Sequence, residues 1–347
     1  MRELATIRTI SNLEPIDGAD NILTATVDGW QLVVKKEEFQ VGDPCVYFEI
    51  DSFIPVMGAI MHLENKFSTY QGVPGLRIKT IKLRGQVSQG LALPLRACGV
   101  EEWGWHDVTE QLDVRLWEKP IPSEMQGVMR GNFPSFIPKT RQDRVQNLTK
   151  VLPQLIGQTF EVTQKMDGAS MTIYCVNEEI DAGILGLNDA PRVGVCSRNM
   201  DLDMTAVDNF HIVAAEEGGW LDAMRFFPGY AVQGELLGPR VYQNRENFDK
   251  LTFMVFDVYT IDEGRYLTPL ERYVFLEDLR GLGVEADHVP ILISVFDMHE
   301  ENANSKALLA ITESLCGSRF EGLVFKQNVG EFSFKAISNA YLLKHGD

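Results

Sequence analysis

The stretch FEVTQKMDGASMTIYCV, residues 160–176, places a lysine beside an Asp-Gly pair. Apolar and polar residues alternate on both sides of the pair, which predicts two strands joined by a tight hairpin turn at Asp167-Gly168. Lys165 lies at the end of the first strand. By itself it is either an ordinary solvated lysine or a nucleophile, so the segments that follow it must decide between the two.

Five further segments follow this lysine in order. KMDGAS (165–170) precedes SRN (197–199), GEL (234–236), FDVY (256–259), EGLVFK (321–326) and FSFK (332–335). The series resembles the covalent nucleotidyltransferase superfamily of ATP-dependent ligases and mRNA capping enzymes, whose motifs occur in the same order. One motif departs from the family pattern. The lysine strand of many ligases reads Lys-x-Lys, and here it reads Ser333-Phe334-Lys335.

Segments outside these motifs narrow the resemblance. PKTRQDRVQNL, GELLGPRVYQN and FKAISNAYLLK are similar to segments of RNA ligases. GADNI, DGWQLVVKK and IKLRGQVSQGL, within the first 120 residues, resemble the OB folds that bind tRNA. An N-terminal OB domain joined to a ligase core that ends just after the lysine strand resembles the Naegleria-type RNA ligases.

The resemblance implies a role for each motif residue. Lys165 is expected to be the nucleophile that forms lysyl-AMP, with Lys326 and Lys335 as further catalytic residues. Phe256 is expected to stack on adenine, with Phe253 as a rival on the same strand. ATP contacts are implied for Gln164, Asp167, Gly168, Arg198, Glu235, Phe256, Lys326, Lys335 and Arg144. Glu321 and Glu235 are expected to bind Mg²⁺ or Mn²⁺, because magnesium keeps several waters and needs only one or two protein carboxylates.

A lysine that attacks the α-phosphate of ATP must first lose its proton. From a reference pKa of about 10.4, deprotonation at pH 7 costs roughly 4.6 kcal/mol. Neighbouring positive charge lowers this cost, because it disfavours the ammonium form, and it also stabilises the phosphate in the transition state. We therefore expect a cationic, partly closed pocket around Lys165, supplied by Lys326, Lys335 and a divalent cation.

The sequence pattern also predicts the strands and helices that must position these residues, and together they indicate an α+β fold. Residues 1–125 contain short strands and turns, including a hairpin at Asp28-Gly29, which predicts a small all-β barrel. The resemblance implies that this barrel is an OB domain. Pro, Gly and Ser predict a linker over 126–140. Residues 141–347 mix strands with helices, which predicts an α+β domain. The resemblance implies that this domain is a nucleotidyltransferase core, ATP-grasp-like, of antiparallel sheets and helices. RQDRVQNLTKVLPQL and LTPLERYVFLEDLRGLG are expected to be helical.

Composition limits the class of protein. The chain has 347 residues, 45% of them apolar, which is enough for two domains. Its net charge of -17 argues against a non-specific nucleic-acid coat. Five cysteines without a CxxC pair indicate a reducing compartment, and no apolar run is long enough to span a membrane. We expect an intracellular protein, cytoplasmic or nuclear, that acts as a monomer.

GLRIKTIKLRGQVSQG, residues 75–90, is basic although the chain is acidic. It carries Arg77, Lys79, Lys82 and Arg84 and contains no acid. It is either a solvated edge strand whose lysines block aggregation, or the surface with which the OB domain contacts RNA. The resemblance to RNA ligases favours RNA contact. The four residues are expected to alternate along strands, so that each pair points to one side.

Three functions stay open at this point. The first is an ATP-dependent RNA ligase that joins 3′-OH and 5′-phosphate RNA ends through lysyl-AMP and adenylylated RNA. The second is a GTP-dependent mRNA capping guanylyltransferase; those enzymes place an OB domain after the lysine strand, where this sequence has 12 residues beyond Lys335. The third is a non-catalytic RNA-binding OB module, against which stand both Lys165 and Glu321.

Overall fold

The computed structural model describes residues 3–101, 106–118, 129–178, 190–206 and 208–345. Within these residues the chain forms an N-terminal all-β domain and a C-terminal α+β domain, which is the predicted fold class. Part of the linker predicted at 126–140 lies outside the described residues. Of the helices that the structure describes, none has the length and apolar content that a membrane span requires.

The N-terminal domain consists of two sheets around one apolar core. Its strands are β1 (Ala5–Pro15), β2 (Ile22–Val27), β3 (Trp30–Lys35), β4 (Pro44–Phe48), β5 (Ser52–Pro55), β6 (Ser68–Tyr70), β7 (Val73–Arg77), β8 (Ile81–Leu83), β9 (Gln86–Ser88), β10 (Leu91–Pro94) and β11 (Arg115–Leu116). One sheet has the order β10-β4-β1-β2-β3 and the other β11-β5-β7-β6, while β8 and β9 form a separate hairpin. The hairpin predicted at Asp28-Gly29 joins β2 to β3.

The C-terminal domain contains two larger sheets. Its strands are β12 (Met129–Asn132), β13 (Asp143–Arg144), β14 (Thr159–Lys165), β15 (Ala169–Glu178), β16 (Ala190–Cys196), β17 (Met200–Leu202), β18 (Tyr230–Leu237), β19 (Thr252–Thr260), β20 (Arg265–Tyr266), β21 (Asp287–His288), β22 (Ile291–Asp297), β23 (Gly322–Gln327) and β24 (Ser333–Ile337). The first sheet has the order β12-β17-β16-β15-β18-β19-β20, with β21 paired to β19. The second has the order β13-β24-β23-β14-β22.

Each large sheet packs against its own helices. The helices are α1 (Phe210–Glu217), α2 (Trp220–Ala223), α3 (Pro269–Gly281), α4 (Ser305–Cys316) and α5 (Asn339–His345). Trp220 and Phe275 belong to the apolar core of the first sheet, and Leu308 of α4 packs in the core of the second. α3 is the predicted helix, and it begins at a capping box between Thr268 and Glu271.

The Asp167-Gly168 pair does not form the predicted hairpin. β14 pairs with β22 and β23, whereas β15 pairs with β16 and β18, so the chain crosses here from one sheet to the other. Alternation reveals the faces of a strand but not its partner, which is why the sequence did not show the crossing. Position 168 requires a glycine because the backbone of Leu236 packs against it, and a Cβ there would lie 2.3 Å from the carbonyl oxygen of Leu236.

The prediction of a helix over RQDRVQNLTKVLPQL is also wrong. This segment forms β13 and two short 3₁₀ helices, Val145–Asn147 and Leu152–Leu155. Pro153 has no N–H group and cannot continue a regular helix. β13 is instead held by parallel pairing with β24, which brings Arg144 beside Lys335. That pairing spans nearly 200 residues and leaves no local sequence signal.

A buried polar contact fixes the N-terminal domain against this segment. Asn147 accepts a hydrogen bond from Trp30 Nε1 at 2.7 Å and donates one to Glu49 Oε1 at 2.8 Å. The Arg8 guanidinium donates to Glu49 at 3.0 Å and to the Asn147 side-chain oxygen at 3.3 Å. The contact leaves a cleft that both domains line.

Candidate functional site

The cleft between the domains has a volume of about 1520 Å³ and contains the predicted nucleophile. The C-terminal domain lines it with Lys165, Glu235 and Phe256, and the N-terminal domain with Arg77 and Trp117. The crossing between the two large sheets therefore opens directly into this cleft.

Lys165 is paired with a carboxylate. Its register partner across the strands is Gly322, and the preceding residue, Glu321, places Oε2 2.5 Å from Lys165 Nζ. Burial opposes the charge of the lysine, but Glu321 and then Glu235 outweigh it and hold the pKa of Lys165 above its ordinary value. The protein's own groups closest to Lys165 are therefore carboxylates, and the predicted contribution of Lys326 is directed to Asp257 instead. The predicted contribution of a divalent cation stays a prediction.

Glu235 lies on the other side of the nucleophile. It is on β18, and its Oε1 accepts a hydrogen bond from the backbone N–H of Gly168 at 3.1 Å. Burial raises the pKa of Glu235 to about 7; the charge of Lys165 opposes this shift and that of Glu321 adds to it. A carboxylate that resists ionisation beside a second carboxylate indicates a place where additional positive charge is favourable.

These two carboxylates fit a hydrated divalent cation. Magnesium is commonly held by one or two carboxylates together with water and substrate phosphates. Over the described ranges, no three side chains from His, Cys, Asp and Glu are grouped as a metal site. Glu321 and Glu235 are therefore suited to an ion that keeps most of its water.

Asp167 links the nucleophile's turn to two distant segments. Its Oδ2 accepts hydrogen bonds from the Tyr341 hydroxyl at 2.6 Å and from Arg245 Nη1 at 2.7 Å. Burial alone would raise the pKa of this carboxyl, but the hydrogen bonds from Tyr341 and Arg245 outweigh burial and lower it. The sequence did not reveal these roles of Arg245 and Tyr341. Tyr341 lies in FKAISNAYLLK, a segment that resembles RNA ligases, but the resemblance does not connect it with Asp167, and both residues reach Asp167 only through the fold.

Lys326 lies on the same face of its sheet as Lys165 and lines the same cleft, but it is bonded to other groups. Its ammonium donates to Asp257 Oδ1 at 2.7 Å and to the backbone carbonyl oxygen of Phe256, and it lies 5.4 Å from the centre of the Phe256 ring. Burial and then the charge of Arg272 lower the pKa of Lys326, although Asp257 opposes them. Lys326 therefore supports the strand that carries Phe256.

The two candidate adenine-stacking residues lie on opposite faces of β19. Phe253 is 3% exposed and packs against Trp220, with ring centres 5.0 Å apart. Phe256 is half-buried and lines the cleft. Its position favours Phe256, and stacking on adenine stays a prediction.

The remaining predicted ATP contacts surround the same cleft. Arg144 and Lys335 lie side by side on β13 and β24, and both line it. Gln164 is buried next to the nucleophile, and its backbone N–H donates to the carbonyl of Pro290 at 2.9 Å. Arg198 is at the rim, with its side chain 63% exposed. All four stay predictions as nucleotide contacts.

The basic stretch of the N-terminal domain divides into two parts. Arg77 lies in the cleft with its guanidinium 3.4 Å from the centre of the Trp117 ring. Lys79, Lys82 and Arg84 are exposed, with Lys82 on β8 and Arg84 in the β8–β9 turn. The expected one-sided pairs therefore do not form, because the chain leaves β7 before Lys79 and turns at Arg84. RNA contact by these residues stays a prediction.

Comparison with known proteins follows the same division. An OB-fold domain model matches residues 4–95, and the RNA ligase family model matches residues 158–337. No curated protein matches the chain. Among solved structures, Naegleria gruberi RNA ligase with PPi is 42% identical with a TM-score of 0.87. Mutants of that ligase with ATP and Mn and with AMP and Mn are each 41% identical, with TM-scores of 0.86 and 0.88. All three matches cover 100% of both chains. They confirm the resemblance that the motif order indicated.

Proposed function

This chain belongs to the RNA ligase family, and we propose that it is an ATP-dependent ligase that joins RNA ends through Lys165. The Lys165 amine attacks the α-phosphorus of ATP, forming a lysyl-AMP phosphoramidate as pyrophosphate leaves. The 5′-phosphate of an RNA then attacks lysyl-AMP, which frees the lysine and gives a 5′-5′ pyrophosphate. An RNA 3′-OH attacks the activated 5′ end, a phosphodiester forms and AMP leaves.

The position of Lys165 is the observation that carries this proposal. The lysine lies where the chain crosses between two sheets, in a cleft lined by both domains, and it is held by Glu321 with Glu235 close by. A solvated surface lysine needs none of these features. The solved relatives hold ATP or AMP, which favours ATP over the GTP of a capping enzyme.

The ion pair with Glu321 defines what must change before Lys165 reacts. A pKa above the ordinary lysine value keeps the amine protonated, and an ammonium has no lone pair. A divalent cation held by Glu321 and Glu235, Mg²⁺ or Mn²⁺, would supply positive charge next to Lys165 and the α-phosphate. The Gly168 amide holds Glu235 in place, so this carboxylate needs no large movement on binding.

The rest of the cleft supports the nucleotide. We assign stacking on adenine to Phe256, contact with the phosphates to Arg144 and Lys335, and a phosphate or ribose contact to Arg198. Gln164 completes the floor of the pocket beside the nucleophile. The side-by-side placement of Arg144 and Lys335 supports this assignment, because two adjacent cations suit the charge of a triphosphate.

We further propose that the substrates are RNA 3′-OH and 5′-phosphate ends, that the N-terminal domain contacts RNA through its basic stretch, and that the protein acts as a monomer. The exposure of Lys79, Lys82 and Arg84 supports RNA contact. All five cysteines are buried free thiols, which supports a reducing, intracellular location, cytoplasmic or nuclear.

A labelling experiment tests the proposed function. The protein is incubated with Mg²⁺ and α-labelled ATP or GTP, with and without RNA that carries a 5′-phosphate. We expect ATP, but not GTP, to label the protein in the absence of RNA. Addition of RNA should then give adenylylated RNA and afterwards the joined product. Labelling by GTP only would support the capping alternative, and absence of label from either nucleotide would support the non-catalytic one.

A further inference from the structure

A strained loop lies at the mouth of the cleft. Residues 238–251 connect β18, which carries Glu235, to β19, which carries Phe256. Arg240 and Tyr242 adopt positive φ values of 71° and 43°. This region is unfavourable for side chains of their size, and such strain persists only where the surroundings enforce it. An enforced outlier next to an active site is a reason to ask what these two side chains do.

The loop is held in place at several points. Val241, between the two strained residues, is 2% exposed and packs in the core. The Asn244 side chain exchanges two hydrogen bonds with the backbone of Phe248, at 2.9 and 3.1 Å. Arg245 is bonded to Asp167, two residues after the nucleophile. The loop is therefore a fixed platform whose position is tied to Lys165.

Arg240 and Tyr242 are exposed residues of this loop, and the Arg240 guanidinium donates a hydrogen bond to the backbone carbonyl of Asp208 at 3.2 Å. Tyr242 is 60% exposed, Arg240 is exposed, and both line the same cleft as Lys165. Tyr242 is near enough to Arg198 and Glu235 to interact with them electrostatically. Arg198 forms an exposed ion pair with Glu118 at 3.6 Å, a type of contact that contributes little and is readily exchanged.

We infer that Tyr242, Arg240 and Arg198 form the docking site for the first nucleotide of the RNA strand that bears the 5′-phosphate. The Tyr242 ring stacks on the first base, and the two guanidinium groups hold phosphate oxygens. The pair of cations selects this strand over the other, because a terminal phosphate carries the charge that a 3′-OH lacks. This assignment rests on the proposed function and deepens it.

Substitution of Tyr242 tests the docking site. Transfer of AMP to 5′-phosphate RNA is measured against RNA concentration and normalised to the lysyl-AMP that each protein forms. We expect Tyr242→Ala to raise the KM for RNA about tenfold, as loss of one base stack would, and Tyr242→Phe to restore it. Tyr273→Ala is the matched control, since that tyrosine is also 60% exposed but lies on α3. An unchanged KM for Tyr242→Ala overturns the inference.

An RNA that lacks its first base identifies the partner of the ring. The parent protein should lose about tenfold in KM with this RNA, whereas Tyr242→Ala should lose nothing more. Two losses that multiply would show that Tyr242 does not contact this base. The test is repeated with an RNA that lacks the last base of the 3′-OH strand. If Tyr242→Ala shows no additional loss with that RNA, the site belongs to the 3′-OH strand. Either result contradicts the proposal.

A glycine at the strained position separates docking from folding. Tyr242→Gly removes the positive-φ strain, so we expect a melting temperature no lower than that of the parent, together with the same loss of RNA affinity. A lower melting temperature with parental RNA affinity would make Tyr242 a structural residue. Failure of the proposed function looks different, because then the parent protein itself forms no lysyl-AMP from ATP.

Discussion

Two groups of charged side chains lie along the same strand pair, β14 and β23, and differ in balance. Near one end, Lys326 and Arg272 face Asp257 and Glu161, so that two cations meet two carboxylates. At the other end, Lys165 and Arg245 face the three carboxylates of Asp167, Glu235 and Glu321. The first group is nearly fully buried, whereas the second opens into the cleft.

The difference shows which group is prepared for chemistry. In the balanced group each buried charge is compensated, so its members position α3, β14, β19 and β23 relative to one another. The unbalanced group has an excess of negative charge. Burial raises the pKa of Glu235 in this group to about 7, Lys165 opposes the shift, and Glu321 and Asp167 add to it. Such a site gains from an added cation. Charge imbalance distinguishes the nucleophile's surroundings from the balanced group.

Lys165→Ala tests the unbalanced group most severely. We expect complete loss of protein-bound AMP, because no other lysine precedes an Asp-Gly pair in this way. The measurement is label retained from α-labelled ATP on a denaturing gel. Lys306→Ala, on α4 and exposed, is the control and should label like the parent. Label that persists on Lys165→Ala at another lysine would contradict the assignment.

Arg272→Met tests whether the balanced group is structural. Removal of Arg272 leaves the buried carboxylate of Glu161 without its cation, while Asp257 keeps Lys326. Loss of one partner of a buried ion pair typically costs about 3–5 kcal/mol. We expect a loss of stability of this size in urea unfolding, while the protein that remains folded still forms lysyl-AMP. Arg280→Met on the same helix removes a partly exposed ion pair and should cost less than about 1 kcal/mol. Unchanged stability together with loss of lysyl-AMP formation would mean that the balanced group acts in the chemistry and not in the fold.

Glu321→Gln tests the role of the partner of Lys165. We expect lysyl-AMP formation to slow by roughly 100-fold, as with loss of a group that supports a metal site. Glu321 raises the pKa of Lys165, so its removal lowers that pKa and moves the rising limb of the pH–rate profile to lower pH. The rate is measured across pH at saturating Mg²⁺. If the rate falls but the rising limb of the pH–rate profile does not move, the ion pair with Glu321 does not set the pKa of Lys165.

Glu235→Gln tests the excess charge through stability. Because the folded pKa is about 7 and the ordinary value is 4.5, the folded state binds more protons between these limits, and stability falls as pH rises through them. The glutamine variant lacks this fall, so at pH 8 without divalent cations it should be more stable than the parent by roughly 2 kcal/mol. The gap should close toward pH 4. Glu216→Gln, at an exposed position on α1, is the control in the same urea titrations.

The sequence revealed the identities of the site residues better than their arrangement. Motif order located Lys165, Glu235, Phe256 and Glu321, because each sits in a short segment whose pattern is local. It did not show that Asp167-Gly168 crosses between sheets, since that depends on which strands pair over long separations.

The contacts that hold the site together lie beyond local patterns. Arg245 and Tyr341 reach Asp167 across 78 and 174 residues of sequence. The anionic surroundings of Lys165 depend equally on the fold, because side-chain direction decides that Lys326 faces Asp257 instead of the nucleophile. Strand faces and sheet pairing set these directions, and neither is written in the motifs.

The most direct test of the account is to locate the AMP. The protein is incubated with ATP and Mg²⁺ without RNA, denatured under conditions that preserve phosphoramidates, digested, and mapped by mass spectrometry. We predict AMP on the peptide that contains Lys165, and its release when RNA with a 5′-phosphate is added before denaturation. AMP on Lys326 or on any other residue, or AMP on Lys165 that the RNA does not remove, would contradict this prediction.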